Sequence, residues 1–364
     1  MKIGILTFAR AFNCGAVLQA YALQTVLMRI GHNVEFIDLA MEVPFSLRRL
    51  VGKGVVSTFY KWQALWGAWR FRNEFAAGLH FSPKSYRNGA DLQIAPPQYD
   101  IYIAGSDQVW NTQHFFIPAY FLTFAPAGAK KVAYAASLGQ HDFNPEYAEQ
   151  IRAALDSFSA ISIRERSSLD SIRKIYSGPL EVTLDPTLLL DARDYLPMFD
   201  SALQLPNQPY IGSYILFFGG DSLKWKLQAL QKGNDACRVF NLNNPQWNVP
   251  QAGVINRLVT PGKLLKWIHG SHGMVCASFH AVVFSLLFHK AFIALTPDEQ
   301  PPNRRILDLL MEFGLQERLV RPSDNINWRE ILARPINWGA VDEKLRCLRQ
   351  DSLKFIHTHI GELS

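Results

Sequence analysis

Hydrophobic positions along the chain follow two alternating patterns. Continuous apolar runs at residues 2–8 and 33–39 predict short buried strands. Between them, residues 16–30 carry apolar side chains at helical spacing, and Gly31 follows as a C-terminal cap. A strand, a helix and a strand of these lengths form a βαβ unit, so the strands are expected to be parallel.

The same alternation continues along most of the chain. Further strands are predicted at 100–104, 131–137, 160–163, 180–184, 210–218, 236–242, 273–277 and 291–295. Further helices are predicted at 147–158, 169–175, 222–232, 261–269 and 281–289. Alternation of this kind predicts two doubly wound α/β domains. The cleft between two such domains, at the carboxyl ends of their strands, is the expected site.

One segment interrupts the pattern. Residues 191–209 contain three prolines and have no regular period, which predicts a linker. The predicted organisation is therefore a first domain at 1–190, the linker at 191–209 and a second domain at 210–338. Residues 339–364 are amphipathic and are expected to form a helix that packs back on the first domain.

Composition excludes several classes of protein. Hydrophobic residues make up 48% of the 364 residues and charged residues 19%, which is typical of a globular chain with sizeable cores. The 4 cysteines form no CxxC pair, which disfavours a zinc site and a disulfide framework. No signal segment and no apolar run of about 18–20 residues is present. The expected location is the cytoplasm.

The first candidate site is Ser278-Phe279-His280, which follows a predicted strand and begins a helix. Ser278 can cap that helix, whose free N–H groups form an anion site. His280 in the first turn would face the cleft, where an imidazole suits proton transfer near neutral pH. The alternative is a core histidine behind an ordinary N-cap.

The second candidate is Arg164, directly after the predicted strand 160–163. A guanidinium there can hold a phosphate or a carboxylate through two parallel hydrogen bonds. The alternative is a surface ion pair with Glu165.

The third candidate is the run GSDQVWN at residues 105–111, a turn of small residues after a strand. Gly105 and Ser106 would form the turn. Asp107 and Asn111 can bind sugar hydroxyls, and Trp110 can offer a stacking face. Each polar residue could instead belong to an ordinary Asx turn.

Two further turns follow strands. Asn13 and Gly15 lie in the turn between the first strand and helix, which lacks the GxGxxG pattern of dinucleotide-binding proteins. Gly219 and Gly220 could allow close approach of a ligand or form a plain turn. Cys14 is interpreted as a buried small residue rather than a thiolate. The chain contains no GxxxxGK[ST], HExxH or GxSxG motif.

Several of these blocks together resemble one family, the polysaccharide pyruvyl transferases. The blocks appear in the family's order and reach from residue 1 to about residue 295; they include YDIYIAGSDQVWN, KVAYAASLG, ISIRERSSLDSIRKI, LEVTLDPTLLL and SFHAVVFSLLFHKAFI. The resemblance implies a GT-B-like fold of two Rossmann-like domains around a cleft. It also implies phosphoenolpyruvate as donor, and as acceptor a sugar of a surface polysaccharide or of its lipid-linked precursor. The product would be a pyruvate ketal.

The resemblance also implies roles for the candidate residues. The histidine that matches His280 is catalytic in the family, and the arginine that matches Arg164 holds the donor. We add Asp107 as a second catalytic group. The remaining expectations are Ser278, Phe279, Gly219 and Gly220 at the donor, and Asn13, Gly15, Gly105, Ser106, Trp110 and Asn111 at the acceptor. No cofactor and no metal is expected.

Two other functions remain open on the same residues. A GT-B glycosyltransferase that uses a nucleotide sugar would share the fold, because fold does not determine function. A saccharide-binding or scaffolding protein would share the fold without catalysis. A donor screen separates the two enzymes, and phosphate release in the presence of acceptor excludes the binding protein.

The net charge of +6 is concentrated in one stretch. Between residues 44 and 75 six basic residues stand against one acidic residue, and Phe59, Trp62, Trp66 and Trp69 follow a helical spacing. A basic aromatic helix can bind the membrane face, or it can dock on its own domain. If it binds the membrane, charge reversal at the basic residues should lower binding to anionic vesicles; those residues include Arg48, Arg49 and Lys53. No basic stripe or RNA-binding motif supports nucleic acid, and a homo-oligomer is left open.

Overall fold

The protein is described by a computed structural model over residues 1–40, 78–113, 116–139, 141–217, 221–232, 237–243, 251 and 254–361. Within these residues two parallel sheets, of 7 and 6 strands, form the centres of two α/β domains. The predicted fold class, two Rossmann-like domains facing a cleft in the GT-B manner, is confirmed. The basic and aromatic stretch at residues 44–75 lies outside the described residues.

The first sheet has the strand order β3-β2-β1-β4-β5-β6-β7, and its strands pair in parallel. The strands are β1 Lys2–Leu6, β2 Asn33–Leu39, β3 Phe81–Tyr86, β4 Ile101–Ala104, β5 Lys130–Ala136, β6 Ala160–Ile163 and β7 Glu181–Val182. The direction in which strands are added reverses between β1 and β4. In open parallel sheets such a reversal leaves a crevice at the carboxyl ends of the strands, where ligands bind.

The second sheet repeats this arrangement with the order β10-β9-β8-β11-β12-β13. Its strands are β8 Tyr210–Tyr214, β9 Arg238–Asn243, β10 Ile255–Leu258, β11 Gly273–Cys276, β12 Phe292–Leu295 and β13 Leu319–Val320. The reversal lies between β8 and β11. The loop after β11, which carries Ser278 to His280, therefore begins at the crevice of the second domain.

The described helices flank the sheets. They are α1 Cys14–Arg29, α2 Gly89–Ile94, α3 Ala148–Leu155, α4 Leu169–Arg173, α5 Asp221–Lys232, α6 Pro261–Gly270, α7 Phe279–Leu287, α8 Arg304–Phe313, α9 Trp328–Ala333 and α10 Trp338–His359. Asparagine caps three of the helices that matter below. The side chains of Asn13, Asn303 and Asn337 accept hydrogen bonds from backbone N–H groups in the first turns of α1, α8 and α10.

The proline-rich segment between the domains is more ordered than its sequence indicates. A 3-10 helix occupies Ala192–Met198 and includes Pro197. Tyr195 in this helix is fully buried, and its ring packs edge-on against Phe284 of α7 at a centroid distance of 4.9 Å. The segment predicted as a linker thus contains a short helix in its first half, and one buried aromatic ring anchors it to the second domain.

Helix α10 contacts both domains. At its start, Asp342 binds His289 at 2.8 Å in the second domain. Further along, the Ser352 hydroxyl accepts from the Leu184 backbone N–H at 2.9 Å, and Arg349 donates to the Leu188 carbonyl at 2.8 Å. The latter two partners belong to the first domain. The helix therefore joins the domains a second time, after the segment at 191–209.

No helix in the described ranges is both long enough and apolar enough to span a bilayer.

Candidate active site

Four loops that follow strands converge where the domains meet. The first domain contributes the loops after β4, β6 and β7, which carry Asp107, Arg164 and Asp185. The second domain contributes His280 from the first turn of α7. All four side chains are buried, so their mutual contacts determine the electrostatics of the site.

Asp185 lies at the centre of this cluster. Its Oδ2 accepts from Arg164 Nη1 at 2.7 Å and from Ser106 Oγ at 3.4 Å, and lies 3.5 Å from His280 Nε2. Its Oδ1 accepts from the backbone N–H and the hydroxyl of Thr187, at 3.0 and 2.6 Å. Asp185 therefore orients an arginine of its own domain and a histidine of the other domain with one carboxylate.

Arg164 is held on three sides. Besides Asp185, its Nε donates to Glu165 Oε1 at 3.0 Å, and its Nη2 lies 4.0 Å from Asp107 Oδ1. Its guanidinium carbon lies 4.6 Å from the centroid of the Phe279 ring, which comes from the second domain. The pair with Glu165 exists, but both side chains are buried, so the alternative of a surface ion pair is wrong.

The charges of this cluster stabilise one another. Burial opposes ionisation of Asp185, but the positive charges of His280 and Arg164 outweigh burial and lower the pKa of its carboxyl below the usual range. Burial likewise opposes the charge of Arg164, but the carboxylates of Glu165, Asp185 and Asp107 raise its pKa. Asp185 is therefore a carboxylate and Arg164 a cation at neutral pH.

His280 is clamped between the two domains. A Cβ added to Gly15 would lie 2.1 Å from His280 Nδ1, so the imidazole packs directly on the glycine in the first turn of α1. On its other side, Nε2 faces Asp185. Gly15 thus has a structural role in the site, because only a residue without Cβ leaves room for the ring in this position.

The turn after β4 places Asp107 in the cluster. Gly105 has φ +108°, and a Cβ there would lie 2.4 Å from the Tyr134 carbonyl oxygen, so the turn requires glycine. Asp107 has φ +72°, a left-handed conformation that Asp tolerates better than most residues. Its carboxylate accepts from the Gln108 backbone N–H at 2.9 Å. Ser106 is fully buried and donates to the Ala135 carbonyl at 2.9 Å.

Two donors in the cluster have ion-pair contacts but no hydrogen bond among the described residues. Arg164 Nη2 lies 4.0 Å from Asp107 Oδ1, and His280 Nε2 lies 3.5 Å from Asp185 Oδ2. Both atoms are buried. A buried donor without a hydrogen bond costs about 1–3 kcal/mol, and more when it is charged. Buried donors of this kind that lie together at a domain cleft are the expected partners of an anionic ligand.

The structure does not offer Trp110 as a stacking face for a sugar. Its side chain is fully buried, its ring stacks on Phe121 at 5.2 Å, and its Nε1 donates to the Tyr120 carbonyl at 3.1 Å. The assignment to acceptor binding is therefore corrected. The ring belongs to an aromatic cluster beneath the loop, and Phe143 and Phe158 complete that cluster.

The other predicted residues have the following positions. Asn13 caps α1 through Gly15, at 2.9 Å. Ser278 occupies the N-cap position of α7, but its hydroxyl makes no capping hydrogen bond. Asn111 is half-buried and lies next to Gln108, with 3.5 Å between Nδ2 and Oε1. Gly219 and Gly220 lie outside the described residues.

Sequence reasoning missed two residues of this cluster. Asp185 follows a short strand at the edge of the first sheet, where an acidic residue before a proline reads as an ordinary cap. Arg305 lies in the first turn of α8, and its charge interacts with that of Arg164 and with the three carboxylates around it. For Asp185 a positional signal was available, because it comes shortly after the strand β7. Across the described ranges, no group of three or more potential metal ligands was found.

Comparison with protein-family models gives one match. The model described as polysaccharide pyruvyl transferase matches residues 13–299, which is well over half of the chain. The chain therefore belongs to the polysaccharide pyruvyl transferase family. A search of curated proteins found no significant match.

Solved structures of similar fold include a UDP-N-acetylglucosamine 2-epimerase, a glycosyltransferase and MurG. A UDP-N-acetylglucosamine 2-epimerase superposes with a TM-score of 0.56 at 10% identity, covering 99% of this chain and 96% of the other. The glycosyltransferase SnogD from Streptomyces nogalater gives 0.48 at 10% identity and covers 99% of both chains. MurG from Acinetobacter baumannii gives 0.44 at 10% identity and covers 98% of both. At such low identity the similarity to the epimerase shows the fold alone.

Proposed function

We propose that the protein transfers the pyruvyl group of phosphoenolpyruvate to a sugar of a surface polysaccharide or of its lipid-linked precursor, and forms a pyruvate ketal. The observation that supports this most is a pair of buried donors that make no hydrogen bond in the described part of the chain, Arg164 Nη2 and His280 Nε2, at the cleft of a chain from this family. Together they combine a fixed cation with a group that can exchange a proton.

Phosphoenolpyruvate carries a phosphate and a carboxylate, and Arg164 is suited to bind one of them. Its Nε donates to Glu165 and its Nη1 to Asp185, and the Phe279 ring packs against the guanidinium carbon, so the plane of the guanidinium is fixed. Because the plane is fixed before a ligand arrives, little conformational entropy is lost on binding. Nη2 would then meet an oxygen of the donor.

The reaction needs proton transfers that balance. A proton adds to the methylene carbon of the donor and creates an oxocarbenium-like centre at the neighbouring carbon. One sugar hydroxyl attacks that carbon and loses its proton, and the carbon–oxygen bond to phosphate then breaks. A second hydroxyl closes the ketal and loses its proton. Of the two protons released, one replaces the proton added to the methylene carbon and the other goes to the leaving phosphate. The products are the ketal and inorganic phosphate.

His280 would move one of these protons. Its Nε2 is available, and Asp185, 3.5 Å away, would stabilise the imidazolium that forms when the ring takes a proton. General acid–base catalysis of this kind contributes about 10²–10⁴-fold to the rate. Asp107 would act from the neighbouring loop, either as a second base or by holding an acceptor hydroxyl.

The test is phosphate release from phosphoenolpyruvate with candidate lipid-linked sugars, together with mass spectrometry of the sugar product. The expected product gains the mass of one pyruvic acid less one water. His280→Ala should lower the rate by about 10²–10⁴-fold. His269→Ala is the matched control, because His269 lies at the end of α6 among Phe199 and Phe288 and should leave the rate within twofold.

The same acceptors should also be incubated with nucleotide sugars. Glycosyl transfer without any pyruvyl transfer would contradict the proposal and favour a glycosyltransferase. Near-full pyruvyl transfer by His280→Ala would contradict the role of His280 while leaving the reaction in place.

A further inference from the structure

The carboxylates around Arg164 pose a problem for binding an anion. Asp107, Glu165 and Asp185 all lie within 4.0 Å of its guanidinium. Three carboxylates around Arg164 weaken its attraction for a phosphate or a carboxylate, because their repulsion of the anion opposes the attraction to the arginine. A donor with two anionic groups therefore needs a second cation at this site.

Arg305 is placed to be that cation. It lies in the first turn of α8, and this turn docks on the first domain beside the loop that carries Arg164. Arg304 Nη1 binds Asp142 at 2.9 Å, and the Ser167 backbone N–H donates to Asp308 Oδ2 at 2.8 Å. These two contacts flank Arg305 along the helix and hold its backbone at the domain interface.

The guanidinium of Arg305 has hydrogen-bond donors that are not used within the described residues. Its Nε donates to Asn303 Oδ1 at 3.2 Å, the same oxygen that caps the helix through the Arg305 backbone N–H. Across the described ranges, neither of its Nη groups forms a hydrogen bond or an ion pair with a carboxylate. The side chain is half-buried, so solvent can still reach part of it.

The electrostatics agree with this position of Arg305 beside the loop that carries Arg164. Burial, followed by the positive charge of Arg164, lowers its pKa to about 10, while Glu165, Asp107 and Asp185 act in the opposite sense. Two guanidiniums that destabilise each other in this way are stabilised by an anion between them.

We infer that Arg305 is a donor-binding residue that holds one anionic group of the donor while Arg164 holds the other. This inference rests on the proposed function, because a donor with both a phosphate and a carboxylate fits two separate arginines. It extends the site beyond residues 13–299, which match the family model, to the first turn of α8.

Calorimetric titration with phosphoenolpyruvate tests the inference. Arg305→Gln should weaken binding by about 10- to 100-fold, the loss expected for one hydrogen-bonded contact between charges. Arg305→Lys keeps the positive charge without the paired donors of a guanidinium, and should lose less affinity than Arg305→Gln. Arg334→Gln is the control, since it removes the same charge from an exposed position of the second domain and should bind within twofold of wild type. Thermal unfolding without ligand checks that each variant is folded.

The outcomes separate this inference from the proposed reaction. If the wild-type protein binds phosphoenolpyruvate and Arg305→Gln binds it equally well, the inference is wrong, whatever the reaction. If Arg305→Gln loses binding but no acceptor is ever pyruvylated, the inference holds and the proposed reaction fails. If the wild-type protein does not bind phosphoenolpyruvate, titration with inorganic phosphate decides: weaker phosphate binding by Arg305→Gln supports the anion site, and no phosphate binding by the wild type refutes it.

Discussion

Replacing Gly15 by alanine should lower the catalytic rate, although Gly15 takes no part in the chemistry. The added Cβ would lie 2.1 Å from His280 Nδ1 and 2.6 Å from His280 Cγ, two ring atoms of a residue in the first turn of the opposing helix α7. Ordinary contact begins at about 3.4 Å, so the ring or the domain interface must move by about 1 Å. A displacement of about 1 Å at a catalytic group can reduce the rate by about 100-fold.

The change in the free energy of unfolding should have the opposite sign to the one that helix propensity predicts. Alanine in place of glycine stabilises a helix by about 1 kcal/mol, whereas overpacking costs about 1–3 kcal/mol. Gly15→Ala should therefore change the free energy of unfolding by about 0–2 kcal/mol in the destabilising direction. In a His280→Ala background the overlap is gone, and the same change should become stabilising. The coupling energy between the two sites should be about 1–3 kcal/mol.

Gly339→Ala is the matched control. Gly339 is also the second residue of a helix capped by asparagine, but an added Cβ there would lie 3.5 Å from Asn337 Oδ1, an ordinary contact. Chemical denaturation gives the free energies, and phosphate release gives the rates. If Gly15→Ala stabilises the protein as Gly339→Ala does, and keeps the wild-type rate, the packing of His280 on Gly15 is refuted.

Two more predictions concern acid stability and thiol reactivity. His280 and Arg164 lower the pKa of Asp185 against the effect of burial, so its contribution to stability is present above the usual carboxyl pKa of about 3.9 and is lost as the pH falls below that value. Between pH 7 and pH 3 the free energy of unfolding should therefore fall more steeply for the wild type than for Asp185→Asn. Parallel curves would contradict this. Burial raises the pKa of the Cys14 thiol and raises that of Cys276 to about 12, while Cys347 is exposed. Alkylation of the native protein, followed by mass spectrometry, should therefore label Cys347 first. Early labelling of Cys14 would show that the structure opens there.

The regular elements were largely predictable from the sequence. The helix expected at 16–30 is α1 Cys14–Arg29, and the one expected at 261–269 is α6 Pro261–Gly270. Such segments have a strong apolar period, and a fully buried parallel strand reads as a continuous apolar run. The strands β3, β10 and β13 were missed, since they are partly exposed and so carry a weak apolar pattern.

The site was only partly predictable, for a different reason. Strand ends identified Asp107, Arg164 and His280, because parallel sheets bring these ends to one edge. Local pattern could not show that Trp110 fills the core, since its ring partner Phe143 lies more than 30 residues away in the sequence. It could not identify Asp185 as the hub either, because its partners Arg164 and His280 come from separate segments, one of them in the other domain.

Helix α10 determines how the two halves of the protein can move. The chain crosses between the halves once at residues 191–209 and again along this helix, which binds His289 on one side and Leu184 on the other. Two crossings of the chain allow the domains to rotate about the axis that joins the crossings, but resist twisting and sliding of one domain against the other. Opening of the cleft would then carry His280 away from Asp185 along one fixed arc and return it to the same place.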